Sequence, residues 1–272
     1  MDGVDSIVWQ RSTKPRVTTN AEFWEARALL GPVAGTRDLI AKQLEVEFLS
    51  DYIADGMRVL DAGCGNGIAA VELARRAQCE VVGFDRSPAM VAAAQQLLSD
   101  AAVRIASTVT FRIGDVLDPP RDLGLFDLVF TERTLINLAD WPTQRRAIGT
   151  LGAHLKPGGL YVMVENSQDA LDRLNSVRVR VGLAAIVSPP HNRYLREDEV
   201  ATLRLPGLSL TGVRYFTSTY YFLSRVVNAA LAAERDEEPA YDSPINRLAL
   251  RLPGDLVPNL GQGVAWVWKR PA

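Results

Sequence analysis

The sequence predicts an α/β fold with a parallel sheet wound on both faces, and three observations predict it. From Gly56 onward, short apolar runs of strand length alternate with stretches of helical periodicity, as βαβ units do. The junctions carry turn and helix-start residues, Gly63–Gly67 and Ser87-Pro88 among them. The chain has 272 residues, 47% apolar and 23% charged, an ordinary globular balance with enough length to bury a full core.

Taken in order, the first 55 residues read as a helical lid. Asn20 can cap NAEFWEARALL, and Gly35/Thr36 open TRDLIAKQLEVEFLSDYIAD. MRVLDA (57–62) is the first strand, followed by a glycine turn and the helix AAVELARRA. EVVGFD (80–85) is the second, then Ser87-Pro88 starts AMVAAAQQLL. TVTFRIGD (108–115), FDLVFTE (126–132) and LYVMVEN (160–166) follow, with a helix over about 141–155 ended by Lys156-Pro157-Gly158-Gly159. Then come a helix over 170–183, the loop SPPHNRYL and a short helix REDEVATL. LSLTGVRYF (208–216) and GVAWVWKR (263–270) complete seven strand candidates. The stretch between them includes a helix near 220–234 and a Pro-rich loop, too long for a plain hairpin. Trp266 and Trp268 share one strand face, suited to packing on a helix.

Charge and composition exclude several classes. Thirty basic against 32 acidic side chains give a net charge of −2, with no basic stripe for nucleic acid. No apolar run reaches the roughly 18 residues of a membrane span, and the N-terminus lacks a secretory pattern. Cys64 and Cys79 are too few for a disulfide framework or a zinc site, so no metal is expected. The expectation is a cytoplasmic protein, with a homodimer left open.

In a parallel α/β sheet, ligands bind beyond the carboxyl ends of the strands. After the first strand comes Asp61-Ala62-Gly63-Cys64-Gly65-Asn66-Gly67. Its glycines let the backbone turn and let a ligand approach the amides. The spacing is G-x-G-x-G rather than the G-x-G-x-x-G of dinucleotide sites, and Asp61 would repel a phosphate. The loop therefore suits a nucleoside with a cationic amino-acid tail. Asp85 ends the second strand, where an acid can hold a ribose diol, and Gly114-Asp115-Val116 ends the third.

DAGCGNG resembles motif I of the class I S-adenosylmethionine-dependent methyltransferases. GFDRSPAM resembles their ribose-binding strand end, IGDV their adenine-contacting segment, and LKPGG the turn before their fifth strand. The resemblance covers about residues 55–166 and implies a Rossmann-like, mostly parallel seven-stranded sheet closing in a strand hairpin. The long insertion inside that hairpin departs from the family pattern. The resemblance further implies that Gly63, Gly65 and Gly67 line the methionine part of the cofactor, with Cys64 a small filler between them. Asp61 would meet its amino end, Asp85 the ribose hydroxyls and Asp115 the adenine amino group. Gly114, Val116 and Arg86 would flank the adenine, and Thr131 would close the cofactor site. In the family, the segment at the end of strand four, Thr131–Asn137, passes beside the transferred methyl group.

Acceptor residues are read with alternatives open. His191 in its loop is a proton acceptor or substrate ligand, or a surface residue, with Asn192, Arg193 and Tyr194 beside it; His154 belongs to the opposite edge of the sheet. Glu132, Arg133 and Asn137 either serve the site, Glu132 as a catalytic group, or pair with one another; Glu165-Asn166 has the same two readings. Tyr215, Phe216, Tyr220, Tyr221 and Phe222 are core or a wall for the acceptor, with Tyr220 and Tyr221 taken as acceptor contacts. Trp9 and Trp24 of the lid share that ambiguity. Arg173, Arg178 and Arg180 form a solvated helix face or a phosphate site.

The resulting expectation is a lid over 1–55 and a methyltransferase domain over 56–272, its segments 167–205 and 217–262 covering the substrate. Its reaction would be methyl transfer from S-adenosylmethionine, leaving S-adenosylhomocysteine, to an O or N atom of a small-molecule acceptor. A biosynthetic tailoring step on a sugar, nucleoside or secondary metabolite is the reading. The alternatives are a non-catalytic cofactor-binding scaffold and a protein methyltransferase.

Overall fold

A computed structural model describes residues 20–31, 34–101 and 108–272; Trp9 lies outside them. Seven strands run β1 (Arg58–Ala62), β2 (Glu80–Asp85), β3 (Thr108–Ile113), β4 (Phe126–Glu132), β5 (Leu155–Asn166), β6 (Ser209–Arg214) and β7 (Gly263–Lys269). They form one sheet in the order β3-β2-β1-β4-β5-β7-β6. β1 to β5 are parallel, and β7 runs antiparallel to both β5 and β6. The chain leaves β1 towards β2 and β3, then returns to its other side as β4. That reversal opens a crevice beyond the carboxyl ends of β1 and β4.

Alternation along the strands divides the core. Leu60, Phe84, Phe126, Tyr161, Trp266 and Trp268 face α5 (Trp141–Gly152) through Ile148 and Leu151. Val59, Val81, Leu128, Val162 and Val267 face the other way, onto α2 (Leu39–Ser50), α3 (Ile68–Arg76) and α4 (Pro88–Ala101). The tryptophan pair on β7 thus packs on a helix as its spacing predicts.

Several boundaries differ from the sequence reading, each for a local reason. α1 covers Asn20–Ala28. α2 is capped by Asp38, whose carboxylate accepts the Ala41 amide at 3.0 Å, and Thr36 instead accepts the Asp38 amide. The Pro-Gly-Gly turn lies inside β5 rather than before it. Gly158 takes a left-handed φ of 78° and Gly159 lies against the Phe126 and Asp127 carbonyls, so the strand begins at Leu155 through an irregular register with β4.

α6 (Gln168–Arg180) is capped by Ser167, and α7 (Glu197–Thr202) follows. The insertion folds as α8 (Ser218–Phe222), a π-helical turn over Leu223–Val227, α9 (Asn228–Ala233) and α10 (Pro244–Leu248). Among the described residues no helix is long and apolar enough to cross a membrane.

Candidate active site

The crevice between β1 and β4 is a cavity with about 960 Å³ of empty space, its open mouth included. The glycine loop forms its floor. Gly63 and Cys64 donate their amides to the Phe84 carbonyl at 2.8 and 2.9 Å, pinning the loop to β2. Gly63 has φ 81°, and a Cβ there would lie 2.3 Å from the Thr134 side chain. Gly65 has φ 52°, and a Cβ there would meet no protein atom within 4 Å. One glycine is required by the protein's own packing; the other leaves the backbone bare towards the cavity.

Three acids stand at successive strand ends. Asp61 is 1% exposed, and its Oδ2 has no hydrogen-bond partner. Burial, reinforced by Glu132 and only partly opposed by Lys42, pushes its carboxyl up to about 8. Asp85 accepts the Gly65 amide on Oδ2 and the Ser87 amide on Oδ1, both at 2.9 Å. Burial raises its carboxyl and those two amides work against the rise. Asp115 accepts the Leu117 amide at 2.9 Å and lines the cavity with Gly114, Val116, Arg86 and Met90. Burial pushes the Cys64 thiol well up, which fits an inert filler.

The β4 end holds a charge cluster that the sequence reading saw only in part. Lys42 of α2 donates to both oxygens of Glu132, at 2.6 and 2.7 Å. Arg133 reaches Glu132 at 3.2 Å and Glu45 at 3.3 Å, and holds a left-handed φ of 51° that a bulky residue adopts only under constraint. Burial pushes the Glu132 carboxyl up, but Lys42 and Arg133 outweigh it and bring the group down to about 2. A carboxylate held so firmly in its charged form is a poor proton acceptor. Held charged between Lys42 and Arg133, Glu132 is poorly suited to the catalytic role read from the sequence. Lys42 and Glu45 escaped the sequence reading because a Lys and a Glu three apart on a helix ordinarily pair in solvent.

The remaining sequence candidates scatter. Glu165 is fully buried in β5, where its carboxylate accepts the amides of Thr134, Leu135 and Ile136 at 3.2, 3.0 and 3.4 Å. It shapes the 3-10 turn Leu135–Asn137 instead of meeting an acceptor. Thr131 is fully buried and does not line the cavity. Tyr220 and Tyr221 are core residues, packed with Ile136, Leu171 and Leu174; the Tyr220 hydroxyl donates to Asp38 at 2.5 Å. The aromatic wall is a structural joint between the insertion and α2.

Asn137 does line the cavity, and Asn192 donates to its side chain at 3.0 Å. The ring of His191 lies 4.1 Å from that of Phe23 and 6.3 Å from Trp24, at the seam between α1 and its own loop. Burial and nearby Arg27 lower its pKa, so the imidazole is neutral at pH 7. Of the lid aromatics, Trp24 lines the cavity. His154 sits at the opposite edge, its Nδ1 3.0 Å from the Gly124 carbonyl.

Residues 59–159 match the methyltransferase-domain family. The chain is 43% identical over 81 residues to magnesium-protoporphyrin O-methyltransferase of Rhodobacter capsulatus, covering 30% of this chain and 34% of that protein. It is 34% identical over 119 residues to demethylmenaquinone methyltransferase of Lactiplantibacillus plantarum, covering 43% and 48%. The chain thus spans between a third and a half of these curated relatives. The crystal structure of the [4+2]-cyclase SpnF shares the fold at a TM-score of 0.61 and 20% identity, over 93% of this chain and 97% of that one. These matches show a methyltransferase-domain segment over residues 59–159, set in a sheet whose fold SpnF shares over nearly the whole chain.

Proposed function

We propose that this chain transfers the methyl group of S-adenosylmethionine to an O or N atom of a small-molecule acceptor, in a tailoring step on a sugar, nucleoside or secondary metabolite. The observation that carries the cofactor reading is the unpartnered Asp61 carboxylate oxygen beside the bare Gly65 backbone. A buried carboxylate oxygen without a partner is costly, and an ammonium would supply the missing donor and charge. Asp85 would hold the ribose hydroxyls through lone pairs its amides leave free, and Asp115, Val116 and Arg86 the adenine. When bound, the cofactor supplies a methyl group on a sulfonium for in-line displacement.

The chain's task is then alignment, bringing the acceptor atom to about 3–3.5 Å, and exclusion of water. Trp24 covers the cavity, Asn137 and Arg133 offer the acceptor a hydrogen bond and a charge, and Asn192 steadies Asn137. His191, neutral at the lid seam, is the group we assign to receive a proton from an acceptor hydroxyl or ammonium. The relatives' names span different acceptors, and the lid, helical insertion and balanced charge support a modest one rather than a macromolecule.

Calorimetric titration with S-adenosylmethionine, S-adenosylhomocysteine and NADH tests the first step: micromolar binding of the first two alone is expected. Asp85→Ala should weaken that binding more than about tenfold, and unchanged affinity would remove the ribose assignment. His191→Ala should lower turnover about 10²-fold with cofactor affinity unchanged, whereas a wild-type rate would reduce His191 to lid packing.

A further inference from the structure

We propose that the cavity between α6, the π-helical turn and the 238–241 loop is a second binding site, taking an oxyanion group on Arg178 with the ligand's flat body against Tyr241. It has about 770 Å³ of empty space, its mouth included, and is lined by Arg178, Arg225, Ser224, Asn228, Glu238 and Tyr241 among others. It lies between α6 and the insertion and shares no lining residue with the cavity at the glycine loop and the strand-end acids.

The argument starts from an imbalance between two neighbouring guanidinium groups. Arg225 is fully provided for. It pairs with Asp38 at 2.5 Å, donates to Ser224 Oγ and lies over the Tyr241 ring at 4.9 Å. Arg178 has only backbone carbonyls, those of Ala184 at 2.9 Å and of Arg225 itself. Among the described residues no carboxylate pairs with it. Burial and the Arg225 charge both lower its pKa, the signature of a cation with no counter-charge. With Nε and one Nη1 donor given to carbonyls, its other Nη donors are left to meet an oxyanion.

The other arginines of α6 are accounted for. Arg173 is held by Glu197 at 2.7 Å, and Arg180 is exposed at the helix end. The helix face read from sequence as one cluster is thus three separate groups, of which Arg178 lines this cavity. Tyr241 is 44% exposed and offers its ring as a platform; Asn228, its amide donating to the Ala240 carbonyl at 3.0 Å, fixes the loop that carries it. The π-helical turn that brings Ser224 and Arg225 to the cavity wall is a distortion commonly found at binding sites. Among the described residues Glu238 is the one carboxylate lining the cavity, and it is exposed. Its charge opposes an anion and sets a control.

The test is calorimetry on the full chain with inorganic pyrophosphate and benzoate, run with and without S-adenosylhomocysteine so that the first cavity's cations are separated from the second's. One probe should bind with a Kd on the order of 1 mM or tighter in both conditions, and the stronger probe says whether the oxyanion is phosphate or carboxylate. Arg178→Gln should weaken it about tenfold or more, with Arg178→Lys recovering part of the loss. Glu238→Gln, on an exposed loop where folding is not at stake, should tighten it about threefold at low salt. Absence of binding by either probe up to about 10 mM overturns the site. So does binding that neither Arg178→Gln nor Glu238→Gln changes, which would put the anion elsewhere.

Discussion

Asp61→Asn is expected to bind S-adenosylmethionine about 100-fold more weakly than wild type, on the order of 2.7 kcal/mol, because a buried charge pair loses one partner. The substitution is nearly isosteric, so the sheet should hold. The wild-type protein should also show a proton signature that the variant lacks. Free Asp61, pushed up to about 8, carries its proton at pH 7 and must release it to meet an ammonium. Affinity should therefore rise as pH rises from about 6 towards 8, above which the ligand's own ammonium begins to lose its proton. Titrations at pH 7 in buffers of different ionisation heat should report close to one proton released. Asp85 is also raised by burial and shifts in the same sense, so the difference between wild type and Asp61→Asn isolates the Asp61 proton. An affinity that falls over the same range would mean that no ammonium sits at Asp61.

The largest stability effect is expected at Glu165. Glu165→Ala leaves the Thr134, Leu135 and Ile136 amides without their acceptor inside the protein, a loss of about 3–5 kcal/mol. Glu165→Gln keeps an acceptor oxygen and should cost about 1–2 kcal/mol. The pH dependence follows from the carboxyl, which burial raises from 4.5 to about 7 despite those amides. A folded-state value above the unfolded one means that the folded state holds the proton more tightly. That contribution to stability is full below about 4.5 and is lost as pH rises to about 7. Urea unfolding at pH 5 and pH 8 checks it: the wild-type advantage over Glu165→Gln should shrink between the two. An advantage that grows with pH would show that the ionised carboxylate is the better cap.

What the sequence revealed and what it hid divides along the range of the interactions. The strands, the glycine loop and Asp61, Asp85 and Asp115 were legible because each acid stands at or just past the end of a strand-length run, a signal contained in a few neighbouring residues. Asp85 and Asp115 line the cavity as expected because parallel pairing brings the ends of β1, β2 and β3 to one edge. Glu165 carries the same local signal, a polar residue at a buried strand end. Its partners, though, are amides some thirty residues away, and only the folded turn reveals them. Lys42 and Glu45 were illegible for the same reason. Lys42 meets Glu132 across 90 positions of chain, and nothing in LIAKQLEVEFLS distinguishes it from a solvated lysine. Tyr220 and Tyr221 read equally well as wall or core, and the deciding fact is the Tyr220 bond to Asp38, 182 positions away.

The placement of α1 has a kinetic consequence. Its ends are fastened on different supports: Phe23 against His191 on one side, Ala28 and Trp24 against Met90 on another, and the Gly31 carbonyl accepting the Asn66 side chain of the glycine loop at 2.8 Å. A nucleoside-sized occupant beneath Trp24 departs only when these contacts part together. Under the proposed function, Asn66→Ala should therefore shorten the residence time of bound S-adenosylhomocysteine, as stopped-flow dissociation would read it. Asn66, which touches both the strap and the loop below it, becomes the position through which that residence time is tuned.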